Sequence, residues 1–117
     1  MKQRGSAVRL TILIGDNDTW RHKNLSHEIV RRAHAAGLDG ASVFRGHEGF
    51  GATQVIHTTS NPSFIDDLPM VIVIIDDEDK IRTFLPQIEE VLQGGTVTLE
   101  PCELIRYKLG TNQTTVG

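Results

Sequence analysis

Apolar and polar positions alternate near the start of the chain, where Val8, Leu10, Ile12 and Ile14 share one parity and Arg9, Thr11 and Leu13 lie between them. A period of two is that of a strand with one buried face, and Gly15 is its expected stop. From Leu25 the spacing lengthens, through Ile29, Ala33 and Ala36, while His27, Arg31 and His34 fall on another face. That pattern predicts an amphipathic helix closed by Gly37 just past its last turn. Gly40 then opens a short second strand, Ala41-Ser42-Val43-Phe44-Arg45. A loop rich in Gly, His, Thr and Asn follows over about 46–63. It is long for a compact domain, which marks it for function or mobility.

The third strand, 69–76, contains the unbroken apolar run Met70-Val71-Ile72-Val73-Ile74-Ile75. A strand with one solvated face alternates, so this run predicts burial on both faces. Asp76-Asp77-Glu78-Asp79 leads into a second helix with the stripe Ile81, Phe84, Ile88 and Val91, and with Leu85 and Leu92 beside it. Carboxylates at a helix start cap free N–H groups and meet the positive end of the dipole, which accounts for the acidic run. Pro86 inside the stripe predicts a kink, for which the sequence offers no reason. After Gly94-Gly95, a fourth strand runs from Thr96 to about Leu109, with Val97, Leu99, Ile105, Tyr107 and Leu109 on one parity and Arg106 and Lys108 on the other. Pro101 predicts either a bulge in this strand or a place at the sheet edge.

The order β-α-β-β-α-β is the split βαβ plan of α+β, ferredoxin-like folds: a four-stranded antiparallel sheet with two helices on one face. Nothing in the sequence covers the other face, so sheet-to-sheet packing between subunits is expected. A chain of 117 residues reads as one domain, with its core at about 7–109 and a flexible tail at 110–117.

Charge and composition narrow the function. Twelve Lys and Arg stand against 15 Asp and Glu, a formal net charge of −3, which argues against a general nucleic-acid binder. One Trp, one Tyr and four Phe leave few stacking platforms for single strands. The single cysteine, Cys102, has no partner for a disulfide and reads as a small apolar strand residue; a reducing, cytoplasmic setting is expected. The longest apolar run is far short of the ~20 residues that cross a bilayer, and no signal-peptide pattern opens the chain.

Among candidate ligands, His27 and His34 lie on one helical face, and His47 and His57 lie in or beside the loop. None of these pairs has zinc-site spacing, which leaves His47 and His57 as weak metal candidates beside a loop-packing role. Asp16-Asn17-Asp18 lacks the later Gly and Glu of a calcium loop and reads as a turn before the first helix. Trp20, in the same connection, reads as a packing lid. There is no nucleophile elbow, Walker loop or H-E-x-x-H pattern, and no enzyme is expected. His47, Glu48 and His57 are the only acid/base candidates.

Gly40-Ala41-Ser42-Val43-Phe44-Arg45-Gly46-His47-Glu48-Gly49-Phe50-Gly51 resembles a known family, as do Ile56-His57-Thr58, Asp67-Leu68-Pro69-Met70-Val71-Ile72, Lys80-Ile81-Arg82-Thr83-Phe84-Leu85-Pro86 and Val97-Thr98-Leu99-Glu100. In this order, over about 8–107, these segments are similar to the PII-like proteins of domain-of-unknown-function family 190. The resemblance implies a ferredoxin-like homotrimer related to the PII signalling proteins. Those bind adenine nucleotides between subunits and use the loop between strands two and three to engage a transporter or enzyme.

By the same resemblance, Gly49, Phe50 and Gly51, with Ala52 and Thr53 after them, stand where PII proteins open that loop. Gly94, Gly95 and Thr96 stand at their phosphate turn, and Arg106 and Lys108 at their basic pair. Two departures bear on triphosphate binding: Ala52-Thr53 replaces an Arg-Gln, and the Asp and Lys of the phosphate turn are missing. Glycines without Cβ atoms let backbone N–H groups approach an anion, although ordinary turns also use them. Arg106 and Lys108 would neutralise a phosphate or carboxylate, or else form the solvated end of a strand. The expected function is a cytoplasmic regulatory module that binds a small anion, an adenine nucleotide first, and switches the 46–63 loop for a protein partner. The alternatives are a metal-binding or metal-tolerance protein similar to CutA that uses the loop histidines, and a small enzyme with a shared trimer site.

Overall fold

The structure is a computed structural model that describes residues 2–51, 55–58 and 67–109. Four strands, β1 (Lys2–Gly15), β4 (Ser42–Arg45), β7 (Pro69–Asp77) and β8 (Thr96–Tyr107), form one antiparallel sheet in the order β4-β7-β1-β8. Two helices, α1 (Leu25–Ala35) and α2 (Glu78–Val91), pack on it. Two short ribbons complete the described chain: β2 (Thr19–Trp20) with β3 (Lys23–Asn24), and β5 (Glu48–Gly49) with β6 (His57–Thr58). The α+β, ferredoxin-like plan expected from the element order is the one observed, and the β5–β6 ribbon lies inside the segment read as a loop.

Register explains the core. Leu10 lies opposite Ile74 and Leu99, and Ile12 opposite Ile72 and Val97, so alternate residues of three strands share the helix-facing side. Leu25, Ile29 and Ala33 of α1 and Ile81, Phe84, Ile88 and Val91 of α2 close over them. Full burial of each large aliphatic side chain stabilises the fold by about 1.5–3 kcal/mol. Ala36 does not join the stripe: it is the exposed C-cap of α1. Behind it Gly37 takes φ +80°, and Leu38 N donates to Ala33 O at 3.2 Å, the Schellman closure that glycine permits.

Within one chain the apolar run of β7 is buried on one face only. Met70, Ile72 and Ile74 are buried, whereas Val71 and Val73 are half-buried and Ile75 is 38% exposed. On this open face Leu13, Val71 and Phe44 lie side by side across three strands.

Pro101 causes no bulge. The β1–β8 register continues unbroken through the Val8 and Pro101 pair, and β8 is an edge strand whose outer side needs no amide donor. The strand ends at Tyr107, and Leu109 is exposed beyond it. α2 continues as one helix through Pro86, which lies on its exposed side.

The acidic run before α2 is not a set of side-chain caps. Asp77 occupies the N-cap position without a side-chain cap bond. Asp76 is fully buried and accepts Asp77 N at 2.7 Å and Asp39 N at 2.9 Å. α1 is capped conventionally, by Asn24 Oδ1 accepting from His27 N at 3.0 Å.

The Trp20–Lys23 turn holds Arg21 and His22 at φ 49° and 66°, values that a two-residue hairpin usually assigns to Asn or Gly. Trp20 packs against the core, flanked by the guanidinium groups of Arg21 at 4.5 Å and Arg32 at 4.6 Å. Arg32 also donates to Glu28 at 2.8 Å and to Glu90 at 3.1 Å, joining α1 to α2. Hydrogen bonds from Arg31 and then Arg32 hold the buried Glu28 carboxyl at a pKa of about 2. The ordinary value is 4.5. A carboxyl depressed on folding contributes stability that is complete above its unfolded pKa and is lost as pH falls toward the folded one. The urea midpoint of the native protein is therefore expected to drop between pH 4.5 and about 2 by more than that of Glu28→Gln. Parallel profiles would refute this role.

Candidate functional site

The register brings three segments to one end of the sheet. Gly15 at the end of β1 lies opposite Pro69 at the start of β7, and Leu13 lies opposite Thr96 at the start of β8. A cavity of about 520 Å³ opens there. Gly49, Phe50 and Gly51 line one side, and Gly94, Gly95 and Thr96 another. Leu13, Ile14 and Gly15, with Pro69 and Met70, supply the sheet-end surface, and Asp18 and Asp67 complete the lining. The volume falls in the range of small-molecule sites.

The glycines differ in why they lack a side chain. A Cβ on Gly95 would lie 2.6 Å from Leu13 O, and its φ is +92°; a Cβ on Gly49 would lie 2.9 Å from the Pro69 ring. Packing within the chain therefore explains those two. A Cβ on Gly51 or Gly94 would meet no atom within 4 Å, so at these positions the bare backbone leaves open space beside the cavity.

The turn after β1 ties both flanks of segment 46–66 to one place. Asp16 N donates to Leu68 O at 2.7 Å and Asn17 N to Asp67 Oδ1 at 2.8 Å, while Arg45 Nη2 meets Asp16 Oδ2 at 2.8 Å. Gly15 N donates to Asp18 Oδ2 at 2.9 Å, so Asp16-Asn17-Asp18 is the turn its composition predicts. A Cβ on Gly15 would run into the Asp67 carboxylate, so a larger residue here would displace that side chain from Asn17 N.

Arg106 and Lys108 lie at the other end of β8 and do not line this cavity within one chain. Thr96 and Arg106 are separated by roughly 33 Å of extended strand. Arg106 meets three carboxylates: Asp39 at 2.7 Å, Asp76 at 3.1 Å and Asp77 at 3.4 Å. Lys108 is exposed. Ala52 and Thr53 lie outside the described residues, as does the expected tail at 110–117. His47 is exposed, and the backbone of His57 pairs with Gly49. Among the described residues, no group of three or more His, Cys, Asp or Glu is placed to hold a metal ion, and no helix is long and apolar enough to cross a membrane.

Sequence reading passes over Gly15, Asp18 and Asp67 as site residues. The one local signal is the glycine strand stop beside an Asp-rich turn. Nothing local indicates that Asp67 returns to that turn.

Comparison with known proteins adds the family context. The model of the DUF190 family, described as an uncharacterized ACR, matches residues 7–104. A UPF0166 protein of Aquifex aeolicus (strain VF5) is 35% identical over 96 residues, covering 82% of this chain and 90% of the relative. A UPF0166 protein of Methanocaldococcus jannaschii is 24% identical over 98 residues, covering 83% and 90%. Among solved structures, CPII from Thiomonas intermedia K12, a nitrogen regulatory PII-like protein bound to ADP, AMP and bicarbonate, superposes with a TM-score of 0.59 at 15% identity, covering 87% of this chain and 91% of that one. Its apo form gives 0.56 at 13% identity, covering 92% and 100%. At these identities the likeness establishes the PII-like fold.

Proposed function

The chain belongs to the DUF190 family, and from that membership we propose that it is a PII-like regulatory module, not an enzyme, and that its ligand is an adenine nucleotide. The observation that carries this reading is the cavity joining Gly49, Phe50 and Gly51 to Gly94, Gly95 and Thr96, two segments more than forty residues apart in sequence. The nucleotides bound by CPII support the ligand class. Three chains pack through their open sheet faces, where Leu13, Val71 and Phe44 supply an apolar row. In that ring Lys108 of a neighbouring chain, and Arg106 once released from its carboxylates, complete the anion site. Occupancy then alters the surface that segment 46–63 presents to a transporter or enzyme partner.

Light scattering with a thermal-shift series tests the reading. The expected result is a mass of three chains and a melting temperature raised by ADP or AMP, since a ligand at 100 times its Kd adds about 2.7 kcal/mol. Gly94→Val, which puts a side chain into the open space beside the cavity, is expected to abolish the shift. A monomer at micromolar concentration, or no shift with any adenine nucleotide, overturns the proposal. A zinc or copper shift lost in His47→Ala would favour the metal-binding alternative.

A further inference from the structure

The β2–β3 hairpin carries positive charge that the cavity does not use. Arg21, His22 and Lys23 are consecutive and exposed, on a chain whose formal net charge is −3. Arg21 and His22 fill the two central positions of the turn between the paired Trp20 and Lys23, at φ 49° and 66°. Gly and Asn are favoured there, and larger side chains cost stability. The turn thus keeps side chains that its backbone does not prefer, and they are exposed.

The base of the hairpin is firmly held. Trp20 packs against the core, with the Arg21 guanidinium 4.5 Å above its ring. Leu25 N donates to Asp18 O at 2.9 Å, and Asn24 Nδ2 to Asp16 O at 3.3 Å. Asp16 also donates to Leu68 O and meets Arg45, so the hairpin is tied to the same turn as both flanks of segment 46–66.

We infer that the Arg21–His22–Lys23 tip docks an acidic segment of a partner protein, one that presents carboxylates on neighbouring residues. A run of three basic residues, with one guanidinium laid across Trp20, matches a run of carboxylates better than one compact anion. Complementary charge of this kind orients and speeds encounter. Through Asp16, a partner held at the tip is placed on the unit that carries segment 46–63. Such docking needs no nucleotide in the cavity.

The test titrates the full chain with hexaglutamate, by calorimetry and by the emission of Trp20, the one tryptophan of the chain. Saturable binding is expected, with a change in emission and a loss of affinity as salt is added. Lys23→Gln is expected to weaken binding by about fivefold, the most that one exposed ion pair yields, with no change in melting temperature. His22→Gly relaxes the turn and is expected to raise the melting temperature by about 4 °C while it weakens binding. A hairpin with only a structural role would not show that opposition. Arg82→Gln removes an equal charge at an exposed position of α2 and should leave binding unchanged. Absence of hexaglutamate binding by the native protein overturns the inference without any variant. So do equal losses in Lys23→Gln and Arg82→Gln, a lower melting temperature for His22→Gly, or displacement of the peptide by inorganic phosphate at equal charge.

Discussion

Gly95→Ala is expected to destabilise the protein by about 3 kcal/mol, the scale of a strained backbone position combined with overpacking. Gly95 has φ +92°, a region that L side chains rarely adopt, and its added methyl group would sit 2.6 Å from Leu13 O and 3.1 Å from Ile14 Cγ2. The first contact is with backbone in the β1–β8 pairing, so it cannot be relieved by a rotamer change. For a domain of this size the loss corresponds to roughly 12 °C in melting temperature. Its neighbour is the control. A Cβ added to Gly94 would meet no atom within 4 Å, and Gly94 has no positive φ, so Gly94→Ala is expected to stay within about 0.5 kcal/mol of the native protein. Thermal or urea unfolding of the two variants measures the contrast, and equal losses would show that the turn yields where the geometry says it cannot.

Arg106→Ala is expected to cost about 3 kcal/mol with no ligand present, because it strips the cation from a buried pair. Asp76 has no exposed surface, and Arg106 Nη2 lies 3.1 Å from its Oδ1. Lys80, half-exposed and 4.0 Å from the same oxygen, replaces little of that charge. The carboxylate left behind is desolvated, and such losses run to several kcal/mol, reduced here because Arg106 keeps some access to water. Lys108→Ala, an exposed position past the end of β8, is expected to change stability by less than about 0.5 kcal/mol. If Lys108 serves a neighbour's site, it instead weakens ADP binding in the assembled protein. Urea unfolding of the apo variants, followed by ADP titration, separates the two roles. A native-like midpoint for Arg106→Ala would mean that the Asp39, Asp76 and Asp77 cluster does not depend on it.

Arg106 also shows where sequence reading reaches its limit. Its residue type and its place near the end of a strand are legible, and they point to an anion. Its closest anions are the protein's own, contributed by the α1–β4 connection and the end of β7. Asp76, at the head of the acidic run 76–79, misleads for the same reason, although Glu78 and Asp79 do stand in the first turn of α2. Carboxylates before a helix usually cap it, and only the fold shows Asp76 turned inward to bind Asp39 N and Arg106. At Pro101 the sequence allows two outcomes, and the position of β8 at the sheet edge selects one of them.

The glycine segments are legible as a pair because the resemblance places both, despite their departures, at turns where PII proteins have glycines, and they do line one cavity. Asp18 and Asp67 are not, because neither belongs to a motif that marks a site and they are 49 positions apart. What the sequence by itself determined is the order of the four main strands and two helices and the buried faces of β1, α1 and α2, though not that of β7. Those follow from periods of two and of three to four, which are local consequences of backbone geometry. What only the tertiary structure decided is which charges neutralise one another and which walls meet at the cavity. Those depend on strand register, and register is a contact between segments that no single stretch of chain contains.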